Sequence, residues 1–177
     1  YESNMVSSLL TADYWLKQDN CIISYSDIFY DPSCVAKIMA SSSDIAITYD
    51  PHYLELWQKR FDNPLDDLET FQIENGKLHS IGKRPNSLSE IEGQYMGLLK
   101  ISKKGWDDIK RLIQDLTLAQ LDKLDMTTLL NKLIEKGISI EPISTSFVFK
   151  FLKTILYLKQ ICNISKIYFA LLDNFRF

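Results

Sequence analysis

The chain has 177 residues, 46% of them hydrophobic and 24% charged, which suffices for one domain with a sizeable apolar core. Its formal net charge of −3 argues against a nucleic-acid-binding protein, because such proteins carry a basic patch. The three cysteines are an odd number at spacings that match neither a zinc site nor a disulfide framework. We therefore expect buried thiols in a reducing, cytoplasmic environment.

The first third of the chain alternates helical and strand patterns. Apolar residues recur at helical spacing over residues 3–17, and this predicts a helix. Residues 21–25 and 45–49 are short apolar runs typical of strands, and a short helix is predicted between them after Pro32. Such alternation is typical of an α/β fold in which helices cover a mostly parallel sheet.

A β-hairpin is predicted next, at Asn75-Gly76, because this dipeptide favours a two-residue turn with positive φ at both positions. Residues 70–74 and 77–81 would be its strands. In this register Ile73 faces Leu78 and Glu74 faces Lys77, and both are favourable cross-strand pairs.

Further elements follow the hairpin. Strands are predicted over residues 95–101 and 139–143, and helices over residues 107–116 and 127–135. Gly137 suits the left-handed position that ends the second of these helices.

The composition changes at about Phe147. Residues 147–177 contain no Gly, Pro or Glu, and their lysines interrupt every apolar run, so we predict no membrane span. No structure is predicted for this tail.

Asp27 follows the first predicted strand and is the first candidate for a functional residue. In open α/β sheets, ligands bind at the carboxyl ends of strands, and one carboxylate together with substrate phosphates is a normal way to hold Mg²⁺. The alternative is that Asp27 only caps a turn or the following helix.

Two other stretches remain ambiguous from their residues alone. Lys83 and Arg84 either receive a phosphate or form a solvated basic turn after the hairpin. Between Glu92 and Gly97, two glycines flank Gln94 and Tyr95. Either a bound substrate or tight packing would explain those glycines. Asp125 has a sufficient explanation as a helix cap, and no Ser-His-Asp or Cys-His arrangement can be argued from the spacing.

Several stretches together resemble one known family. The family is the nucleotidyltransferases that include phosphocholine cytidylyltransferase and the domains associated with phosphoenolpyruvate mutase-type enzymes; sugar-1-phosphate nucleotidyltransferases are similar at greater distance. The resemblance covers residues 3–143 and lies in the order of these stretches: IISYSDIFYD, DIAITYDPHYLELWQKRFDNPLDDLETF, SIGKRPNSLSEIEGQYMGLLKISKKGW and DMTTLLNKLIEKG.

The resemblance implies a Rossmann-like α/β fold with a mixed, mostly parallel sheet. It also implies an enzyme that joins a nucleoside triphosphate, which we expect to be CTP, to a small phosphorylated acceptor such as phosphocholine or a phosphonate. Pyrophosphate is released and Mg²⁺ is the cofactor. By the resemblance, Asp27 is the metal-binding aspartate, Lys83 meets the acceptor phosphate, and Glu92, Gln94 and Tyr95 line the acceptor pocket.

Two departures from the family pattern shape our expectations. The family opens with a strand and a glycine-rich triphosphate loop, and no such loop occurs in this chain. The second metal-binding aspartate expected near the end is replaced from about Ser146 by unrelated sequence, which we interpret as a divergent or frame-shifted end. Resequencing the coding DNA tests this interpretation, and an intact frame with no downstream Gly-Trp…Asp in another frame would refute it.

We therefore expect residues 1–146 to form a partial nucleotidyltransferase domain, incomplete at its amino terminus, followed by a tail of residues 147–177. We expect this polypeptide alone to have little or no activity, which robust pyrophosphate release from CTP and phosphocholine would refute. The rival interpretation is a non-catalytic binding or interaction module that keeps the fold, and the sequence upstream of Tyr1 would distinguish the two. The oligomeric state cannot be deduced from the sequence.

Overall fold

The computed structural model describes residues 4–26, 28 and 30–145. The helices are α1 (Met5–Leu10), α2 (Asp13–Leu16), α3 (Pro32–Met39), α4 (Tyr53–Arg60), α5 (Lys103–Gln114), α6 (Leu118–Leu121) and α7 (Met126–Glu135), with short 3₁₀ turns at Pro64–Asp66 and Leu88–Glu90. The strands are β1 (Cys21–Ser24), β2 (Ile45–Asp50), β3 (Phe71–Glu74), β4 (Lys77–Ile81), β5 (Gln94–Ile101) and β6 (Glu141–Ser144).

Four strands form a mixed sheet in the order β1-β5-β2-β6. Strand β5 runs antiparallel to both β1 and β2, whereas β2 and β6 are parallel. Hence β1, β2 and β6 share one direction, and β5 alone is reversed. The predicted α/β class with a mixed sheet is confirmed. The insertion of β5 between β1 and β2 makes two of the three strand pairings antiparallel, which the alternation of elements did not predict.

Apolar side chains pack on both faces of this sheet. We call the packing against α1, α5, α7 and the β3–β4 hairpin the large core, and it includes the fully buried Trp106. We call the packing under α3 the small core, and it consists of Cys34, Ile38, Ala46, Met96 and Leu98. Full burial of one such large aliphatic side chain stabilises a fold by about 1.5–3 kcal/mol.

The hairpin matches its prediction in turn type and register. Asn75 and Gly76 have φ values of 51° and 74°, as a two-residue turn of this type requires. Ile73 pairs with Leu78, and Glu74 pairs with Lys77. The local sequence therefore determines this element.

Helix boundaries differ from the predictions where capping decides them. Helix α5 begins at Lys103 instead of near residue 107, because the Ser102 hydroxyl accepts a hydrogen bond from the Gly105 amide at 3.0 Å. The helix predicted over residues 3–17 is divided into α1 and α2, and α4 was not predicted. Asp125 caps α7 through the Thr128 amide at 2.7 Å, and Gly137 adopts a φ of 78°; both agree with the predictions.

Within the described part of the chain, no helix combines the length and apolarity needed to cross a bilayer. The predicted tail lies outside the described residues.

Candidate functional site

The carboxyl ends of β1, β2 and β6 meet at one edge of the sheet, together with the beginning of β5. The pairing register fixes this arrangement, since Asp50 is paired with Gln94, and Tyr49 is paired with both Tyr95 and Ser144. Open α/β sheets bind their ligands at this edge. We call it the carboxyl edge.

Asp27, the predicted metal ligand, lies outside the described residues, but its neighbours in the loop after β1 are described. Ile28 and Tyr30 pack against the small core, and the Tyr30 hydroxyl donates a hydrogen bond to the Ser24 hydroxyl at 3.2 Å. Asp31 caps α3 by accepting from the Ser33 amide at 2.8 Å. The described part of this loop therefore leaves the carboxyl edge on the small-core side of the sheet.

Asp50, the last residue of β2, is a buried acid that the sequence analysis did not select. Its side chain is 6% exposed, and one carboxylate oxygen accepts a hydrogen bond from the His52 amide at 2.8 Å. Burial raises the pKa of Asp50 above its ordinary value. The sequence signal was available, because Asp50-Pro51 ends its strand as a turn, but that pattern alone does not reveal that the acid is buried.

Gln94 and Tyr95 begin β5, and consecutive strand residues face opposite sides of a sheet. The ladder places Gln94 beside Asp50, while the ring of Tyr95 packs against the large core. The Gln94 side-chain oxygen is buried, with no hydrogen-bond partner among the described residues. Burial, reinforced by the neighbouring Tyr25, raises the pKa of Tyr95 well above its usual value. The structure thus separates two residues that were predicted to line one pocket.

Glu92 links the approach to β5 with the hairpin. Its side chain accepts a hydrogen bond from the Ile73 amide at 2.8 Å, and its own amide donates to the Phe71 carbonyl at 2.7 Å. The ring of Phe71 lies 5.0 Å from that of Tyr49, between ring centroids. Glu92 therefore helps to fix the open end of the hairpin near the carboxyl edge.

Lys83 follows the hairpin, and its ammonium group lies 3.5 Å from the carboxylate of Glu135 at the end of α7. The side chain is 59% exposed. Gly82 has a φ of 78° and fits against Thr127, which a Cβ at that position would approach to 2.9 Å. Another cation, Lys37 of α3, lies at the carboxyl edge, where it donates to the Ser144 carbonyl at 3.5 Å. The sequence analysis did not select Lys37.

The two glycines that flank Gln94 and Tyr95 are explained by tight packing. A Cβ at Gly93 would lie 2.2 Å from the ring of Tyr49, and one at Gly97 would lie 2.6 Å from the ring of Tyr25. Gly97 also has a φ of 73° and lies where β5 bulges against β2. Of the two explanations left open by the sequence, packing accounts for both positions.

No group of three or more His, Cys, Asp or Glu side chains that could hold a metal occurs among the described residues. The oxygen atoms of Asp50 and Gln94 are donors of the type that Mg²⁺ prefers, and Mg²⁺ usually takes only one or two protein carboxylates together with substrate phosphates. The carboxyl edge thus has suitable donor chemistry, with Asp27 as the predicted protein ligand.

Sequence comparison finds a related cytidylyltransferase. Over 146 residues the chain is 37% identical to the CTP:phosphoglutamine cytidylyltransferase of Campylobacter jejuni, in an alignment that covers 76% of this chain and 58% of that protein. This relative is a nucleotidyltransferase by name, the family that the motifs of the chain resemble. The chain spans little more than half the length of this relative. No protein-family model matches the chain.

Solved structures of other nucleotidyltransferases share the fold. The inositol-1-phosphate CTP transferase from T. maritima matches with a TM-score of 0.63 and 13% identity, over 84% of this chain and 54% of that one. A putative glucose-1-phosphate thymidylyltransferase from Bacillus anthracis matches with a TM-score of 0.57 and 13% identity, over 82% and 54% of the two chains. At these identities the likeness concerns the fold of the family alone.

Proposed function

We propose that the chain forms the acceptor-binding part of a nucleotidyltransferase that transfers CMP from CTP to a small phosphorylated acceptor and releases pyrophosphate. One observation carries the proposal: a buried Asp50 and a Gln94 side-chain oxygen with no partner among the described residues lie at the carboxyl edge of a chain that is 37% identical to a cytidylyltransferase over 146 residues.

In this reaction an oxygen of the acceptor phosphate attacks the α-phosphorus of CTP. The bond from that phosphorus to the bridging oxygen of the β-phosphate breaks, and pyrophosphate leaves with the electron pair. The protein needs only to position the two phosphates and to stabilise their charge. A divalent cation, which we propose to be Mg²⁺ held by Asp27, would supply positive charge at the phosphates when bound.

The acceptor phosphate needs a cation on the protein, and we consider two lysines among the described residues. Lys83 is the candidate from the family resemblance, although its ammonium group is paired with Glu135. Lys37 is the candidate from the geometry, because it lies beside the end of β6. Replacing each in turn by Met distinguishes them, since loss of the phosphate contact raises the acceptor KM in one variant only.

The acceptor belongs to the class of small phosphorylated amino acids or amino alcohols. The name of the Campylobacter jejuni relative, which specifies phosphoglutamine, supports this class. Phosphocholine and phosphonates, expected from the family resemblance, remain members of the test panel. The distant structural neighbours do not bear on the acceptor, because they share only the fold.

The test is pyrophosphate release by the protein expressed from its native gene, with CTP and each acceptor. We expect turnover with CTP that exceeds turnover with ATP, GTP or UTP. Asp27→Ala should lower kcat by about 10²–10³-fold, as removal of a charge-stabilising contact does. Asp125→Asn, a conservative change of a helix cap, is the matched control and should leave kcat unchanged.

Absence of pyrophosphate release with every acceptor, from protein that melts cooperatively, would contradict the proposed function. Unchanged turnover in Asp27→Ala would remove Asp27 from the mechanism.

A further inference from the structure

Asp50 and Gln94 carry neighbouring hydrogen-bond acceptors that have fewer donors in the described part of the folded chain than they can bind. They are directly paired across β2 and β5, so their side chains leave the same face of the sheet, with Cβ atoms about 4.5–5.5 Å apart. Asp50 accepts one hydrogen bond from a backbone amide, and the Gln94 oxygen accepts none among the described residues.

The carboxylate of Asp50 also lacks an ion-pair partner among the described residues. No Lys, Arg or His side chain in the described part of the chain lies within 4.0 Å of the Asp50 carboxylate. A buried acid whose carboxylate accepts only one backbone amide is unfavourable in its ionised form, as is a buried amide oxygen without a donor. Both groups would gain from one partner that carries positive charge and N–H donors.

Described residues of the loop after β1 pack on the same face of the sheet as this pair. Asp50 lies on the same face of β2 as Ala46 of the small core. Ile28 and Tyr30, which are close to Asp27 in sequence, pack against this small core as well. Thr145 lies across β2 from Gln94, fully buried, and its hydroxyl donates to the Tyr49 carbonyl at 3.1 Å. The Thr145 hydrogen is thereby used, so this hydroxyl does not donate to Asp50 or to the Gln94 oxygen.

We propose that Asp50 and Gln94 bind the ammonium group of the acceptor and select acceptors that carry N–H donors over fully methylated ones. This inference rests on the proposed function and extends it to the acceptor head group. A primary ammonium group donates hydrogen bonds to the carboxylate and to the amide oxygen together. A trimethylammonium group carries the same charge but has no N–H, so it leaves the Gln94 oxygen unsatisfied.

The test compares two ligands that differ only in this respect, phosphoethanolamine and phosphocholine. Their dissociation constants are measured by calorimetry on the 177-residue chain, in EDTA and in Mg²⁺. We expect phosphoethanolamine to bind about 10–100-fold more tightly, the range for hydrogen bonds to a charged group. Persistence of this ratio in EDTA distinguishes ammonium binding from coordination of a metal by the same oxygens.

Two variants and a control locate the effect. Asp50→Asn keeps the shape and removes the charge, and Gln94→Met keeps the length and removes the amide. Each should weaken phosphoethanolamine binding by about 10-fold or more, so that the preference shrinks in both variants. Gln94→Met should change phosphocholine binding by less than about 3-fold. Asp50→Asn should weaken phosphocholine too, but less than phosphoethanolamine, because it removes the attraction to either cation. Asp125→Asn should leave both constants unchanged, and thermal melting of each variant verifies that it folds.

The outcomes separate the two proposals. Equal binding of the two ligands by the wild type, or a preserved preference in Asp50→Asn, overturns the ammonium assignment while pyrophosphate release still supports the proposed function. Equal weakening of both ligands in the variants also overturns it, because the pair would then act on the phosphate or the fold. Failure of both ligands to bind overturns the assignment, and the proposed function falls with it only if the native protein also releases no pyrophosphate.

Discussion

Asp50 is an acid that the fold buries, and burial has a consequence for stability as well as for binding. Its pKa in the folded protein is raised above the ordinary value of 3.8, so the folded state favours the protonated form. The stability associated with that preference is present below the unfolded pKa and is lost as the pH rises through the folded pKa. At neutral pH the ionised group therefore destabilises the free protein.

Asp50→Asn should raise the melting temperature at neutral pH, because asparagine cannot ionise yet can still accept from the His52 amide. The difference from wild type should be small near pH 3, grow as the pH rises through the folded pKa of Asp50, and then stay constant. Thermal melts recorded between about pH 3 and about pH 7 measure it.

Asp44 is a control, because its pKa is shifted in the opposite direction from that of Asp50. Hydrogen bonds from Lys104 and Ser102 lower the pKa of Asp44, so its stabilising effect is present above the unfolded pKa and is lost on acidification. Asp44→Asn should therefore destabilise the protein at neutral pH and have less effect in acid. A melting temperature for Asp50→Asn that falls relative to wild type as the pH rises would contradict our account of Asp50.

At the scale of elements, two aromatic rings pack directly against glycines at the beginning of β5: the ring of Tyr49 against Gly93, and the ring of Tyr25 against Gly97. Gly97 combines a φ of 73° with contact to Tyr25, whereas Gly137 has a φ of 78° and open space around its Cα. Comparing the two positions separates backbone strain from steric overlap.

Gly137→Ala should destabilise the protein by about 1–2 kcal/mol, the cost of a left-handed conformation for a residue with a Cβ. Gly97→Ala should cost about 1–3 kcal/mol more, because its Cβ must displace the Tyr25 ring. Urea unfolding measures both. Equal effects at the two positions would show that Tyr25 yields freely, and would reopen a ligand-related reason for Gly97.

Local signals predicted the elements that local chemistry determines. The Asn75-Gly76 turn fixed the hairpin register, and the Asp125 cap and Gly137 fixed the ends of α7. Helix α4 was not predicted, because its two buried residues, Tyr53 and Trp57, form too short an apolar stripe to indicate a helix.

At the scale of the whole molecule, the sheet brings together residues that are far apart in sequence. Asp50 and Gln94 are separated by the hairpin, and Thr145 arrives from the end of the described chain. The order of strands depends on long-range packing, so the sequence predicted strands without the insertion of β5. The family resemblance predicted an acceptor-binding role for Gln94, whereas the burial of Asp50 could be seen only in the assembled sheet.

A second polar surface of the molecule can be compared with the proposed acceptor site. At the opposite edge of the sheet, a polar depression is lined by Asp44, Lys104 and Ser139, among other residues. There the charges of Asp44 and Lys104 are paired with one another. A compensated site of this kind has less to gain from a charged ligand than the uncompensated pair at the carboxyl edge.

A titration of the isotope-labelled chain with phosphoethanolamine, followed by backbone amide chemical shifts, tests the central claim most directly. We predict that the largest shifts occur at residues 50, 52, 93–95 and 144–145, at the carboxyl edge. Largest shifts around Asp44, Lys104 and Ser139, or no shifts at any residue, would contradict the assignment of the acceptor site to this edge.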